Sequence, residues 1–220
     1  MQRRISFAID EYYHLYNRGT EQRDIFINYK NYDRFSFLLY VCNSAKPVNV
    51  RDLKDEHKGL PFVSIDRGDT IVDIGSWCLM PIHFHILARE KINGGITKFM
   101  LKLTTAYSMY FNTLNNRGGR LFQGPFQATH VNEDQYLKYL FAYIHLNPVK
   151  LIDSKWKENR ISNKTAAQKH LSSYHFSSYL DYIGVNREQG LIINNSAFPD
   201  YFSSNLEFSN FIEDWLSYKG

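Results

Sequence analysis

Residues 71–90 read IVDIGSWCLMPIHFHILARE. Two apolar runs, 71–79 and 82–89, flank Met80-Pro81, which is the pattern of two strands broken by a turn. Residues i and i+2 of a strand share one side, so His83 and His85 present two imidazoles together while Phe84 faces away. Two adjacent neutral imidazoles can hold a divalent cation. A bare His-x-His pair is common, and on its own it reads equally as two satisfied histidines of core or surface.

Outward from this hairpin the periodicity continues to alternate. Upstream, residues 12–17 read as an aromatic strand ending at the turn signal Asn17-Arg18-Gly19, and residues 31–44 carry Phe35, Leu38, Leu39 and Cys42 at helical spacing. Residues 45–70 hold Pro47, Gly59, Pro61 and Gly68 and read as loop-rich. Downstream, Gly94-Gly95 opens a long helix with Phe99, Met100, Leu103, Ala106, Tyr107, Tyr110, Phe111 and Leu114 on its apolar side, and residues 115–119 stop it. Residues 120–131 read as a further strand interrupted at Gly124-Pro125, and Glu133 to about Asn147 as another helix. The first six elements follow the order βαββαβ. This predicts an α+β, ferredoxin-like or RRM-like core, with an antiparallel sheet whose helices cover one face and whose other face is open to carry a site. The core and its last helix span residues 1–150. Residues 151–220 balance seven basic against eight acidic residues and read as a C-terminal helical extension.

The chain has 220 residues, and its 44% hydrophobic and 22% charged content is ordinary for a globular protein, which excludes wholesale disorder. Aromatics are abundant: 16 Tyr, 16 Phe and 3 Trp supply a core and leave rings for stacking on flat ligands. No apolar run reaches the length of a membrane span, and the first residues lack a signal-peptide core, so no membrane partner is expected. Cys42 and Cys78 make no disulfide framework, which predicts reduced, cytoplasmic residence. The net charge is only +4, yet between residues 91 and 150 basic side chains outnumber acidic ones by five. A local positive excess favours a phosphate-bearing partner as much as it describes a solvated face.

A second feature lies at the helix end Tyr139-Leu140-Phe141-Ala142-Tyr143-Ile144-His145-Leu146-Asn147-Pro148. Tyr143 and Asn147 are four apart, so one helical turn stacks them on one face, where a phenol and a carboxamide oxygen can approach one metal-bound phosphate. Pro148 disfavours helical geometry at Asn147 and predicts a distorted last turn. His145 is an alternative ligand but points from another face. Most of the tyrosines must in any case serve packing.

Taken together, these stretches resemble the single-tyrosine HUH transposases of the insertion-sequence type, most closely the REP-associated tyrosine transposases. Tyr13-His14-Leu15-Tyr16-Asn17-Arg18-Gly19 resembles the family's opening strand and turn, and Met80-Pro81-Ile82-His83-Phe84-His85 its His-hydrophobic-His strand. Leu121-Phe122-Gln123-Gly124-Pro125-Phe126 resembles its aromatic-Gln strand, Tyr143-Ile144-His145-Leu146-Asn147-Pro148-Val149 its catalytic helix, and Tyr174-His175-Phe176-Ser177-Ser178-Tyr179 a downstream Ser-Ser-Tyr motif. Each is weak alone; five in the expected order are specific.

The resemblance implies a nuclease core with Mg²⁺ or Mn²⁺ on His83, His85 and Asn147, and Tyr143 as nucleophile. It implies single-stranded, hairpin-bearing DNA as partner, cleavage through a covalent 5′-phosphotyrosine, and strand transfer by reversal. The family includes enzymes that share active sites across a homodimer and others that act as monomers, so the resemblance leaves the oligomeric state open. Lys98, Lys102, Arg117, Arg120, Lys150 and Arg18 are the phosphate-contact candidates, and Phe122, Phe126 and Tyr16 are candidates either for stacking or for the core. Bound to DNA, such a protein would associate with the nucleoid. Two other classes compete: a non-catalytic ferredoxin-like nucleic-acid-binding protein, and a zinc hydrolase built on the histidine pair. The second lacks an evident third strong ligand and a Glu base.

Overall fold

The hairpin is formed by β2 (Val72–Met80) and β3 (His83–Glu90), paired antiparallel from Val72↔Glu90 to Met80↔His83. In this computed structural model, residues 5–47, 61–159 and 161–217 are described; the loop-rich reading of 45–70 therefore falls in part, over 48–60, outside the described residues. The register shifts between Ile74 and Ser76. This bulge at Gly75 reverses the alternation, so Val72 and Ile74 share a face with Trp77 and Leu79. A Cβ at Gly75 would sit 2.7 Å from the ring of Phe198, so glycine admits that ring onto the strand.

β1 (Tyr12–Arg18) lies between β3 and β4 (Gln127–Val131), antiparallel to both, and the sheet order is β2-β3-β1-β4. With α1 (Tyr29–Cys42) after β1 and α2 (Gly95–Leu114) after β3, this is the ferredoxin-like arrangement. Local chemistry starts each helix. Asn28 Oδ1 accepts from Asn31 N–H at 3.2 Å, and the buried Glu90 carboxylate accepts from Ile96 N–H at 2.6 Å at the start of α2. Gly19, at the end of β1, is required by close approach: a Cβ there would meet the Arg23 carbonyl at 2.3 Å.

β4 is shorter than the periodicity predicts. Gly124 adopts φ +76° and Pro125 offers no N–H, so residues 120–126 form turns in which Phe122 makes an isolated bridge to Gly19 in place of a continuous ladder. α3 (Asp134–His145) follows, then a 3₁₀ turn (Asn147–Leu151), α4 (Trp156–Asn159), α5 (Lys164–Ser173), α6 (Tyr179–Tyr182) and α7 (Asn205–Ser217).

Two hydrophobic clusters sandwich the sheet. One joins Leu15, Ile74, Trp77, Phe84 and Ile86 to α1 and α2. The other joins Cys78, Met80, Leu87 and Val131 to α3 and, from the extension, to Leu171, Tyr179, Phe198, Phe208 and Ile212. The expectation of an open second face needs correction here. α3 and the extension cover most of it, because Cys78, Met80 and Leu87 are apolar and must be buried. The ends of β1 and β3 and the start of β4 remain accessible, where the side chains are His, Tyr, Arg and Gln.

The extension also closes a sheet edge. Ser177 bridges Cys78, Leu79 N–H donates to Phe176 O at 2.9 Å, Ser178 N–H to Trp77 O at 2.9 Å, and Tyr174 Oη to Leu79 O at 2.6 Å. The Ser-Ser-Tyr motif thus satisfies backbone groups that an edge strand would otherwise leave open. Cys42 and Cys78 are free and buried, and burial pushes the Cys42 thiol up to about 12. Among the described residues no helix is long and apolar enough to cross a membrane.

Candidate active site

Strand alternation and register build the site from β1 and β3. Arg18 lies opposite His83 and Tyr16 opposite His85, while His14 is one pair further along, opposite Leu87. His14, Tyr16, Arg18, His83 and His85 therefore share the face on which α3 packs. The rings of His83 and His85 lie 4.9 Å apart between centroids. His14 Nε2 and His85 Nδ1 are joined by a hydrogen bond of 2.9 Å, both rings being buried.

α3 brings Tyr143 over this group. Its half-buried ring meets His85 edge-on at 5.4 Å and His14 at 5.7 Å. Tyr143, His83, His85, Tyr16, Asn17, Arg18, Ile82, Gln123 and Gln127 line a cavity of about 600 Å³. The aromatic-Gln segment forms its rim: Gln123 N–H donates to Arg18 O at 2.8 Å, and Arg18 Nε donates to Gln123 Oε1. Asn17 Nδ2 ties the same segment down by donating to Gly124 O at 3.2 Å.

Asn147 opens the 3₁₀ turn that Pro148 imposes, as the X-Pro rule predicts. Its Nδ2 donates to the Tyr143 carbonyl at 2.8 Å, closing the helix end. Its Oδ1 is buried and makes no hydrogen bond of acceptable geometry, yet it lies close enough to His83 to favour that ring's protonated form.

Electrostatics hold the site neutral. Burial lowers His83 to about 4, and the nearby cations Lys150 and Arg18 act in the same direction. Burial alone lowers His14 to about 4. The Tyr143 phenol is raised above its ordinary value, first by burial and then by neighbouring tyrosines, so it rests as the neutral phenol.

The donor set can take a divalent cation. His83 and His85 line the cavity under Tyr143, and the Asn147 side chain interacts with His83, so two imidazoles and an amide are at hand as donors. No group of three or more His, Cys, Asp or Glu that could hold a metal occurs among the described residues. His145 is excluded from this set. Its Nε2 is bonded to Ser178 Oγ at 2.7 Å, and burial lowers it to about 3.

The basic candidates divide by position. Arg18 and Lys150 lie within electrostatic reach of His83. Lys98 is exposed on α2, beyond the opposite face of the sheet. Lys102 Nζ donates to the Ser44 carbonyl at 2.7 Å and the Lys46 carbonyl at 3.0 Å, closing the end of α1. Arg117 is held by Asn112 Oδ1 at 2.8 Å. Exposed Arg120 borders a second cavity of about 740 Å³ beside α2, whose wall shares Asn17 with the first. Phe122 and Phe126 are core residues, whereas Tyr16 lines the site. Residue reading assigned no role to His14, Gln123 or Gln127. Alternation along β1 groups His14 with Tyr16, but its contact with His85 depends on register.

Residues 61–147 match the family of IS200-like transposases. A solved structure of a REP-associated tyrosine transposase bound to a REP hairpin is 13% identical, with a TM-score of 0.49 over 92% of this chain and 99% of that one. A protein of Deinococcus radiodurans R1 described as a transposase is 14% identical, with a TM-score of 0.36 over 65% of this chain and 95% of that one. No curated protein matches the chain. The matched segment, rather less than half of the chain, runs from before β2 to Asn147 and so contains both histidines of the pair and the tyrosine above them; over that segment the chain is similar to the IS200-like transposases.

Proposed function

We propose that the protein is a metal-dependent endonuclease and strand transferase of single-stranded, hairpin-bearing DNA, with Tyr143 as nucleophile. The observation that carries this is the placement of Tyr143 over the His83–His85 pair in one cavity, with Asn147 closing the same helix end.

His83 Nε2 or Nδ1, a nitrogen of His85 and Asn147 Oδ1 would hold Mg²⁺ or Mn²⁺. Bound there, the ion would draw charge from a nonbridging phosphate oxygen and make phosphorus more electrophilic. The protein ligands carry no charge, so the full positive charge would remain available to the phosphate. Tyr143 Oη attacks phosphorus and gives up its proton to solvent. The bond from phosphorus to the 3′ oxygen breaks, and that oxygen leaves as a hydroxyl after taking a proton from solvent. The 5′ phosphate stays on Tyr143, and attack by a second 3′ hydroxyl reverses the step, so no external energy source is needed. Arg18 in the cavity wall orients the phosphate, Lys150 adds positive charge within electrostatic reach of His83, and the edge-on imidazoles hold the Tyr143 ring.

The test is a cleavage assay on labelled single-stranded hairpin DNA with Mg²⁺, Mn²⁺ or chelator, read on a denaturing protein gel. The expected result is a metal-dependent covalent adduct that disappears in Tyr143→Phe while hairpin affinity stays within about fivefold, since one lost hydroxyl contact costs on the order of 1 kcal/mol. Tight binding without adduct under any metal would leave a non-catalytic binding protein instead.

A further inference from the structure

A third imidazole belongs to the histidine pair. His14 sits on β1, diagonally across from His85 on β3, and the two rings meet at 5.0 Å between centroids with 28° between their planes. The 2.9 Å contact is between His14 Nε2 and His85 Nδ1. Both rings are shielded, His14 at 6% and His85 at 7% exposure, so bulk water competes poorly for either nitrogen.

Two neutral imidazoles that share one hydrogen bond must hold complementary tautomers, because one nitrogen donates and the other accepts. If His14 donated, His85 would accept at Nδ1 and carry its own proton on Nε2. That proton would block the nitrogen needed for ligation, since Nδ1 is already engaged. If His85 donates from Nδ1, its Nε2 keeps a lone pair, and His14 carries its proton on Nδ1. Ligating histidines are commonly oriented in this way through a hydrogen bond from the other ring nitrogen.

We infer that His14 is a positioning residue: it accepts the Nδ1 proton of His85 and so presents His85 Nε2, unprotonated, to the cavity that His83 and Tyr143 line. The inference rests on reading His85 as a metal ligand, but the proton's position is measurable without metal or DNA. An imidazole serves better here than a carboxylate, because it fixes the tautomer without adding negative charge beside a phosphate.

The test uses the full-length, metal-free chain labelled with ¹⁵N in histidine. Long-range ¹H–¹⁵N spectra report which ring nitrogen carries the proton, with signals assigned through single histidine substitutions. In the wild type the expected result is His85 protonated at Nδ1 only. In His14→Leu the Nε2-protonated form should appear, and Mn²⁺ affinity, measured by calorimetry, should fall by about 10–100-fold. His14→Gln keeps an accepting oxygen and should restore both the tautomer and most of the affinity. A merely structural role predicts no such tautomer change and no rescue.

Wild-type His85 found protonated at Nε2, or an unchanged His85 tautomer in a folded His14→Leu, would overturn the inference. If the tautomer is as assigned but the wild type binds no Mn²⁺, the positioning geometry stands and the metal-dependent function falls.

Discussion

At Asn147 the following proline sets the chemistry available to the side chain. Pro148 pushes Asn147 out of helical geometry, and the Tyr143 carbonyl is then met by the Asn147 amide nitrogen rather than left open. That bond settles which end of the carboxamide is which, so the oxygen is the atom left beside His83. Asn147→Ala removes both services. It should cost about 1 kcal/mol of stability, read from the urea midpoint. It should also reduce metal-dependent adduct formation by more than the roughly 10–100-fold typical of an outer-shell partner. Loss of stability with unchanged adduct yield would confine Asn147 to capping.

At the scale of elements, β2 is an edge strand made safe by a segment about a hundred residues downstream. Ser178 does most of this through one side chain: Oγ accepts from Trp77 N–H at 3.0 Å and meets His145 Nε2 at 2.7 Å. It therefore joins the sheet edge to the helix that carries Tyr143. Ser178→Ala leaves a buried N–H and a buried imidazole unsatisfied and should destabilise by about 1–3 kcal/mol, measured by urea unfolding. Because Tyr143 and His145 share α3, adduct yield per folded molecule should fall as well. A variant as stable as the wild type would show that water replaces the hydroxyl.

For the whole molecule, two buried histidines and the half-buried His83 couple stability to pH. His14 and His83 titrate near 4 and His145 near 3, below the ordinary value of 6.5. The unfolded chain therefore binds protons first as pH falls. Their contribution is complete above 6.5 and is lost progressively toward 4. Between pH 7 and 5, above the main carboxylate range, each should remove about 1–2 kcal/mol, visible as a falling urea midpoint. A flat midpoint over that interval would show that these rings are solvated. The extension shares its hydrophobic cluster with Cys78, Leu87 and the whole inner side of α3. Truncation after Lys150 should accordingly abolish cooperative thermal unfolding and expose dye-binding apolar surface. A truncated chain that melts sharply would establish residues 1–150 as an independent domain.

Local periodicity was enough to order the elements and to group part of the site. Alternation puts His83 and His85 on one side of a strand, and a single helical turn relates Tyr143 to Asn147; both relations are set by bond geometry over a few residues. The element order βαββαβ follows from the same short-range signals. Long-range pairing decided the rest. His14 reaches His85 across 71 residues only because β1 inserts beside β3 in one register. Lys102 looks like a free cation on its helix, yet α2 packs beside the end of α1 and two backbone carbonyls there take its ammonium. The sheet face that carries the site is covered except at one end, because apolar side chains on β2 and β3 demanded burial and the extension supplied it.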